Sequence, residues 1–126
     1  MSATGYIVFA HGSRVESANE AVRAVARDLK RATRRRHVVS AFLELGVPSL
    51  EEAAAELAAA GVGRIVILPY FLTLGLHMER DLPRIVEQIS KSHNGLQVLV
   101  APPLDGHPAL AGILADRIRT TLNLSL

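Results

Sequence analysis

The sequence predicts a three-layer α/β fold, in which a parallel sheet of four strands in the order 2-1-3-4 has helices on both faces. Short apolar runs alternate four times with amphipathic segments, which is the pattern of repeated strand–helix units. Apolar residues make up 49% of the chain and aromatic residues only 4%, as is typical where aliphatic helices cover a buried sheet. Right-handed connections then place the first strand beside the third. The length of 126 residues fits a single domain, 1–126.

Four apolar runs rich in valine, isoleucine and leucine predict the strands. Each run is followed by a proline, a histidine or a glutamate, where the chain leaves the sheet. Because the run at residues 6–10 is continuous rather than alternating, we expect β1 to be a buried central strand. The predicted strands are β1 at residues 6–10, β2 at 38–43, β3 at 65–68 and β4 at 98–101.

Helix-start signals precede the amphipathic segments. Ser-x-x-Glu capping boxes beginning at Ser17 and Ser49 predict the starts of the first two helices. Asp81 is the expected N-cap of the third helix, with Pro83 in its first turn, and His107 with Pro108 opens the fourth. The apolar stripe of the fourth helix, expected to face the core, consists of Leu110, Ile113, Leu114 and Ile118.

The composition excludes several classes of function. Without cysteine the chain has no disulfide, iron–sulfur cluster, thiolate zinc site or cysteine nucleophile, and it suits the cytoplasm. The formal charge is +2, and no aromatic stacking platform accompanies the arginines, so we expect no nucleic-acid partner. The first apolar run is too short for a signal peptide or membrane span, so no membrane partner is expected. Dinucleotide-binding and P-loop glycine patterns are also missing from the sequence.

Two histidines follow the strands that flank the predicted ligand crevice. His11 follows β1 and His77 follows β3, and open α/β sheets bind ligands at the carboxyl ends of strands where the strand order reverses. Glu44 follows β2, next to them. Two imidazoles and a carboxylate suit a divalent transition metal. The alternative is structural: each histidine could bond a loop carbonyl, and Glu44 could be solvated or cap a helix.

Other residues near these strand ends are candidates for contact with a ligand. Gly12 would let the backbone pass close to a bound ligand. Ser13 follows Gly12, but it lacks the Gly-x-Ser-x-Gly motif and the aspartate-oriented histidine that are typical of a nucleophilic serine. Arg14 could reach an anionic substrate or form an ordinary salt bridge. Phe71 and Leu76 are either apolar contacts for a flat ligand or core residues.

Three further histidines are expected to lie outside the site. His37 begins β2 at the opposite edge of the sheet, and His93 lies in the turn before β4. His107 follows β4, and we interpret it as part of a helix start, with an indirect role at the site as the alternative. Asp81 could orient His77 instead of capping a helix.

Six stretches of the sequence, in order along nearly the whole chain, form a recognisable set. They are residues 9–14, 42–44, 48–50, 68–72, 75–77 and 81–83. In these stretches the chain resembles the short form of the sirohydrochlorin chelatases, which are small class II chelatases. The resemblance implies a flavodoxin-like, chelatase-like fold. It also implies an enzyme that inserts cobalt, iron or nickel into sirohydrochlorin, a tetrapyrrole with eight carboxylates, in cobalamin- or siroheme-type biosynthesis.

The resemblance also implies roles for single residues. It assigns metal binding and proton removal to His11 and His77, with Glu44 as their acidic partner. Arg14 and Arg80 become candidates for the substrate carboxylates. The resemblance implies a homodimer that needs no cofactor beyond the divalent metal it inserts. Two alternatives stay open: a non-catalytic carrier of metal or tetrapyrrole and, with less support, a flavodoxin-like module that binds phosphate or a nucleotide.

Overall fold

The computed structural model describes residues 3–122 as a four-stranded parallel sheet with the strand order β2-β1-β3-β4. This is the predicted order. The strands are β1 (Ala3–Ala10), β2 (Val38–Phe42), β3 (Val62–Pro69) and β4 (Gln97–Val100). The helices are α1 (Glu16–Thr33), α2 (Leu50–Ala59), α3 (Leu76–Ser92) and α4 (Ala109–Leu122).

The two central strands extend beyond their apolar runs. β1 and β3 each have eight residues, because backbone pairing continues past the side chains that the core buries. Ile7 of β1 pairs with Val39 on one side and with Ile67 on the other, and Ile7 and Ile67 are fully buried. A strand enclosed in this way has its carboxyl end fixed, which positions the loop that follows it.

The helices lie on the two faces that right-handed connections predict. The connection from β1 to β2 runs in the opposite direction to the other two connections, so α1 lies on one face and α2 and α3 on the other. The main core fills the α2–α3 face, around Phe9, Leu50 and Leu82. A smaller cluster beneath α1 contains Val8 and Phe42.

Helix α2 begins as predicted. The Ser49 hydroxyl accepts a hydrogen bond from the Glu52 amide at 3.1 Å, and the Ser49 amide donates to the Glu52 carboxylate at 2.8 Å. The hydrogen bond from the Ser49 amide, together with the Ser49 side chain, holds the pKa of the Glu52 carboxyl below its ordinary value. The helix ends before Gly61, whose φ of 92° is the left-handed conformation expected just after a helix.

The predicted start of α1 is wrong. The helix begins at Glu16, and its N-cap, Val15, makes no side-chain capping bond. Ser17 and Glu20 therefore form no capping box, and the Glu20 carboxylate accepts hydrogen bonds from Arg23 and Arg27 instead. The Ser-x-x-Glu pattern gave a wrong prediction here because its acidic residue, Glu20, forms ion pairs with arginines of later turns and does not cap the helix.

The predicted start of α3 is also wrong. The helix begins at Leu76, five residues before the expected N-cap Asp81, and the Gly75 carbonyl accepts the bond from the Glu79 amide. Pro83 lies inside the helix rather than in its first turn. The correction matters for the site, because it places His77 in the first turn of α3 and not in a loop.

The expected inward face of α4 is wrong as well. Within residues 3–122, α4 packs against no other strand or helix, and the helix has no buried residue. Ile113, Leu114 and Ile118 of the predicted inner stripe are exposed, and Leu110 is half-buried. Among the described residues no helix is long and apolar enough to span a bilayer.

Candidate functional site at the carboxyl ends of the strands

Backbone hydrogen bonds beyond the strands bring three loops together at one edge of the sheet. The Glu44 amide donates to the His11 carbonyl at 3.1 Å, so the pairing of β1 with β2 continues into their loops. The Tyr70 amide donates to the Phe9 carbonyl at 2.7 Å, which joins the end of β3 to the end of β1. The loops that carry His11 and Glu44 and the start of α3, which carries His77, therefore share this edge.

His11 and Glu44 form a close, solvent-accessible pair. The His11 Nε2 atom lies 3.8 Å from Glu44 Oε1, and both side chains are more than half exposed. His11 Nδ1 lies 3.4 Å from the Gly12 carbonyl, which can only accept a hydrogen bond. The neutral ring that fits this contact carries its proton on Nδ1. Its free lone pair is then on Nε2, beside the carboxylate, as metal ligation or proton abstraction requires.

Gly12 allows the close approach of the two loops. Its φ is 95°, and a Cβ atom at this position would lie 1.6 Å from the Glu44 carbonyl oxygen. No larger residue fits without displacing the backbone of Glu44. The predicted close approach at Gly12 is therefore present, but the neighbour that requires it is the Glu44 backbone.

A buried asparagine that the sequence did not single out joins the same loops. Asn19 in α1 is only 1% exposed. Its side-chain oxygen accepts from the Ser13 amide at 2.9 Å, and its NH2 group donates to the Ser13 carbonyl at 2.9 Å and the Leu45 carbonyl at 2.8 Å. One amide group thus holds the segment after His11 against the segment after Glu44. The sequence signal for this role is that Asn19 is polar although it lies on the buried side of the amphipathic helix α1, with Val22 and Ala26.

A second contact that the sequence did not predict supports the loop after β2. The Arg23 guanidinium lies 5.3 Å from the centre of the Phe42 ring and donates to the Val47 carbonyl at 3.5 Å. It also donates to Glu16, and this hydrogen bond holds the pKa of Glu16 below its ordinary value. Arg23 therefore anchors the far end of the loop that carries Glu44.

The polar groups of Ser13 are used within the protein. Its amide and carbonyl bond Asn19, and its hydroxyl accepts from the Val15 amide at 3.0 Å. Arg14, the next residue, is exposed at the same edge. Of these two neighbouring candidates for substrate contact, Arg14 is exposed, whereas Ser13 uses its polar groups to hold the loop together.

The hydrogen-bond contacts of His77 differ from those of His11. The guanidinium of Arg80, one helical turn further on, lies 3.1 Å from His77 Nδ1. A guanidinium can only donate, so Nδ1 accepts and the neutral ring carries its proton on Nε2. In this arrangement neither ring nitrogen has a free lone pair. Arg80 must move away before His77 can bind a metal ion.

Apolar side chains surround these polar groups. Leu76 is 84% exposed at the start of α3. Phe71 instead packs edge-to-face on Phe9, with ring centres 5.8 Å apart, and is partly buried. Further exposed apolar residues of the three loops, which the sequence reasoning missed, are Val15, Leu45, Val47 and Leu72.

The predicted ligands are only partly brought together. Within residues 3–122, no three histidine or acidic side chains are close enough to hold one ion. His11 and Glu44 are adjacent, whereas His77 does not complete a set of three with them. His107 has the predicted structural role, since its Nδ1 accepts from the Ala109 amide at 3.0 Å where α4 begins.

Comparison with known proteins identifies relatives along the whole chain. A sirohydrochlorin ferrochelatase from the chloroplasts of Arabidopsis thaliana is 31% identical over 121 residues, which cover 96% of this chain and 54% of the relative. The chain thus spans about half the length of that protein. A sirohydrochlorin cobaltochelatase from Methanothermobacter thermautotrophicus is 29% identical over 133 residues, which cover 94% of this chain and 92% of the relative.

Solved structures share the fold. A putative cobalamin biosynthesis CbiX protein from Marinobacter aquaeolei superposes with a TM-score of 0.82 at 26% identity, over 97% of this chain and 99% of that one. The sirohydrochlorin chelatase SirB from Bacillus subtilis, in complex with cobalt, gives a TM-score of 0.86 at 19% identity, over 94% of this chain and 50% of that one. The profile of the CbiX family matches residues 5–121. This chain therefore belongs to the CbiX family.

Proposed function

We propose that the protein is a chelatase that inserts a divalent metal ion into sirohydrochlorin in tetrapyrrole biosynthesis. Its relatives along the whole chain are named sirohydrochlorin cobaltochelatase and ferrochelatase. The observation that carries the proposal is the accessible pair of His11 Nε2 and Glu44 Oε1, 3.8 Å apart at the carboxyl edge of the sheet. A carboxylate next to an imidazole lone pair can both bind a cation and accept a proton.

The reaction requires groups that bind the ion weakly and remove two protons. When a divalent ion enters the ring, two pyrrole N–H protons leave, so the ion and the protons move in opposite directions. In our proposal His11 and Glu44 hold the ion first and then accept protons as the ring nitrogens replace them. An incomplete, exposed ligand set suits this task, because a closed site would retain the ion.

Arg80 connects substrate binding to the availability of His77. A carboxylate of the substrate competes well for a guanidinium, because a charged, bidentate pair is stronger than a bond to a neutral imidazole. We propose that the substrate draws Arg80 away from His77 Nδ1, after which His77 can act as the second ligand and base. Arg14 binds other carboxylates, and Leu76 contacts the flat ring.

Three further parts of the proposal concern the setting. The protein works as a homodimer, which is supported by the apolar surface that α4 leaves exposed within residues 3–122. It works in the cytoplasm, which the lack of cysteine supports. It uses cobalt, iron or nickel with no additional cofactor, since imidazole and carboxylate ligands accept each of these ions.

The test is metal insertion followed by absorbance, with sirohydrochlorin and Co²⁺, Fe²⁺ or Ni²⁺ in turn. We expect the wild-type protein to exceed the uncatalysed rate, and His11→Ala and His77→Ala each to lose at least 90% of that excess. His93→Ala, at the far end of α3, is the matched control and should keep full activity. Full activity in either site variant would contradict the assignment of that histidine.

The same assay separates an enzyme from a carrier. A carrier would bind the metal or the tetrapyrrole through the same residues but would give no rate above the spontaneous reaction. Binding of Co²⁺ by the wild-type protein without any acceleration would therefore favour the carrier.

A further inference from the structure

Leu45, the residue directly after Glu44, has a strained backbone. Its φ of 56° lies in the left-handed region, which glycine and asparagine adopt more easily than leucine does. Within residues 3–122, one other residue besides glycine has a positive φ, Arg34, and it stands at the end of α1, where this conformation is common. Leu45 lies in the loop between β2 and α2 and follows no helix. Its strain therefore needs a reason in the site beside it.

The neighbours of Leu45 hold it in this conformation from both sides. The Leu45 carbonyl accepts a hydrogen bond from the buried Asn19 NH2 group at 2.8 Å. On the residue before it, the Glu44 amide is bonded to the His11 carbonyl. On the residue after it, Gly46 packs so closely that an added Cβ atom would lie 2.8 Å from the Phe42 ring. The strain is thus imposed by the same fixed backbone that places Glu44 next to His11.

The side chain of Leu45 is exposed in addition to being strained. Half of the residue is accessible to solvent, beside the carboxylate of Glu44. In a loop with no further role, asparagine or glycine would relieve the backbone strain and would avoid exposing apolar surface to water. A leucine is unfavourable on both counts in the free protein. It becomes favourable where the apolar surface of a ligand covers it.

The surroundings of Leu45 indicate what kind of ligand this is. Exposed apolar residues occur on all three loops at this edge of the sheet, around the polar pair of His11 and Glu44. Besides Leu45 they are Val15 after β1, Val47 after β2, and Leu72 and Leu76 after β3, from 61% to 84% exposed. An apolar surface with a few polar groups inside it is typical of a ligand site. A flat macrocycle, with an apolar face and nitrogen atoms at its centre, has the matching pattern.

We propose that Leu45 positions the tetrapyrrole: its side chain contacts the face of the macrocycle and holds the ring nitrogens over His11 Nε2 and Glu44 Oε1. The inference rests on the proposed chelatase function and adds a contact to it. Asn19 bonds both Ser13 and Leu45, so one buried amide fixes the contact relative to the metal-binding pair. A contact of fixed position suits the transfer of an ion, because the ring nitrogens must reach it in one geometry. The carboxylates at the rim of the ring stay available to the arginines.

Leu45→Asn tests the proposal, because it removes the apolar contact and relieves the backbone strain at the same time. We expect the Tm to stay at or above that of the wild type. The Kd for sirohydrochlorin, titrated without metal and followed by absorbance, should rise about fivefold, as expected when a half-exposed leucine is no longer covered by the ring. The Kd for Co²⁺ should stay unchanged, since His11 and Glu44 are intact. Leu45→Met keeps an apolar side chain and should bind sirohydrochlorin like the wild type.

Arg34→Asn is the matched control, because it relieves the same strain at the opposite edge of the sheet and should leave both Kd values unchanged. An unchanged Kd for sirohydrochlorin in Leu45→Asn would overturn the proposal. A change in sedimentation without a change in this Kd would also overturn it, by assigning Leu45 to a contact between copies of the chain. Metal insertion is measured separately. A wild-type protein that binds sirohydrochlorin through Leu45 but inserts no metal would refute the chelatase and leave the contact standing, whereas a wild type that does not bind sirohydrochlorin would refute both.

Discussion

His11 directly follows β1, whereas His77 lies in the first turn of α3 after β3, and their hydrogen bonds give them different chemistry. In the neutral tautomer that fits the Gly12 contact, Nε2 of His11 carries its lone pair beside Glu44, whereas Nδ1 of His77 lies within hydrogen-bond distance of Arg80. The sequence indicated both histidines, because both follow apolar runs. It could not indicate the difference, which depends on the helix that begins at Leu76 and places Arg80 one turn beyond His77.

Removal of Arg80 should make the metal site easier to fill and the substrate harder to bind. We expect Arg80→Ala to bind Co²⁺ about fivefold more tightly without tetrapyrrole, since an exposed hydrogen bond to His77 is worth about 1 kcal/mol. The KM for sirohydrochlorin should rise, because a partner for its carboxylates is lost. Calorimetry and steady-state rates measure the two effects. Arg84→Ala, on the next turn of α3, is the control, and weaker Co²⁺ binding by Arg80→Ala would contradict the role of Arg80.

Loss of the Asn19 side chain should loosen the His11–Glu44 pair. We expect Asn19→Ala to lower the free energy of unfolding by about 2–4 kcal/mol, because groups of Ser13 and Leu45 lose their buried partner. Metal insertion per folded molecule should also fall, through kcat more than through KM. Thermal melts and insertion rates measure this. Asn94→Ala in an exposed turn should leave both unchanged, and a destabilised Asn19→Ala protein with normal kcat would restrict Asn19 to a purely structural role.

At the scale of elements, the capping box of α2 gives the clearest energetic expectation. Ser49→Ala should lower the free energy of unfolding at pH 7 by about 1 kcal/mol, because the Ser49 hydroxyl no longer caps the helix. The pKa of Glu52 is lowered in the folded protein, so its carboxylate stabilises the fold above its unfolded pKa and loses this effect as the pH falls through its folded pKa.

The contribution of Glu52 should therefore disappear in acid. Melting curves of the wild-type protein and of Glu52→Ala should differ at pH 7 and converge below the lowered pKa of Glu52. Glu51→Ala, at the neighbouring exposed position of the first turn, is the control for a general effect of the helix dipole. A difference between wild type and Glu52→Ala that persists unchanged in acid would contradict the capping role of the carboxylate.

The strands could be predicted because they form continuous apolar runs. At residues 6–10 this run reflects the burial of the central strand β1, whereas β4 at the edge of the sheet is largely exposed. Helix starts could be predicted only where the capping chemistry is local. The Ser49 side chain accepts a hydrogen bond from a free amide in the first turn of its own helix. Ser17 instead lies inside α1, and Glu20 pairs with arginines of later turns. Asp81 resembles a cap, yet the backbone from Gly75 onward is already helical. Contacts between distant segments, such as Asn19 with Leu45, leave no regular spacing in the sequence.

At the scale of the whole molecule, the amphipathic pattern of α4 correctly predicts a helix, but the helix does not pack on the core within residues 3–122 as expected. The stripe of Leu110 and Ile113 indicates that a surface must cover the helix, and periodicity cannot tell whether that surface belongs to the same chain. The structure leaves this stripe uncovered within residues 3–122. Stability should consequently depend on association.

A dimer that buries this stripe should melt at a temperature that depends on protein concentration. Each tenfold increase in concentration favours the assembled state by about 1.4 kcal/mol, which corresponds to roughly 2–4 °C in Tm for a folded unit of two such chains. We expect this slope for the wild-type protein and its loss in Ile118→Asp, which places a charge in the apolar stripe. Asp116→Asn, on the opposite side of α4, should retain the slope. Calorimetric scans from 5 to 500 μM, with sedimentation at the same concentrations, measure both effects, and a wild-type Tm that does not change over this range would mean that the exposed stripe of α4 contributes nothing to assembly.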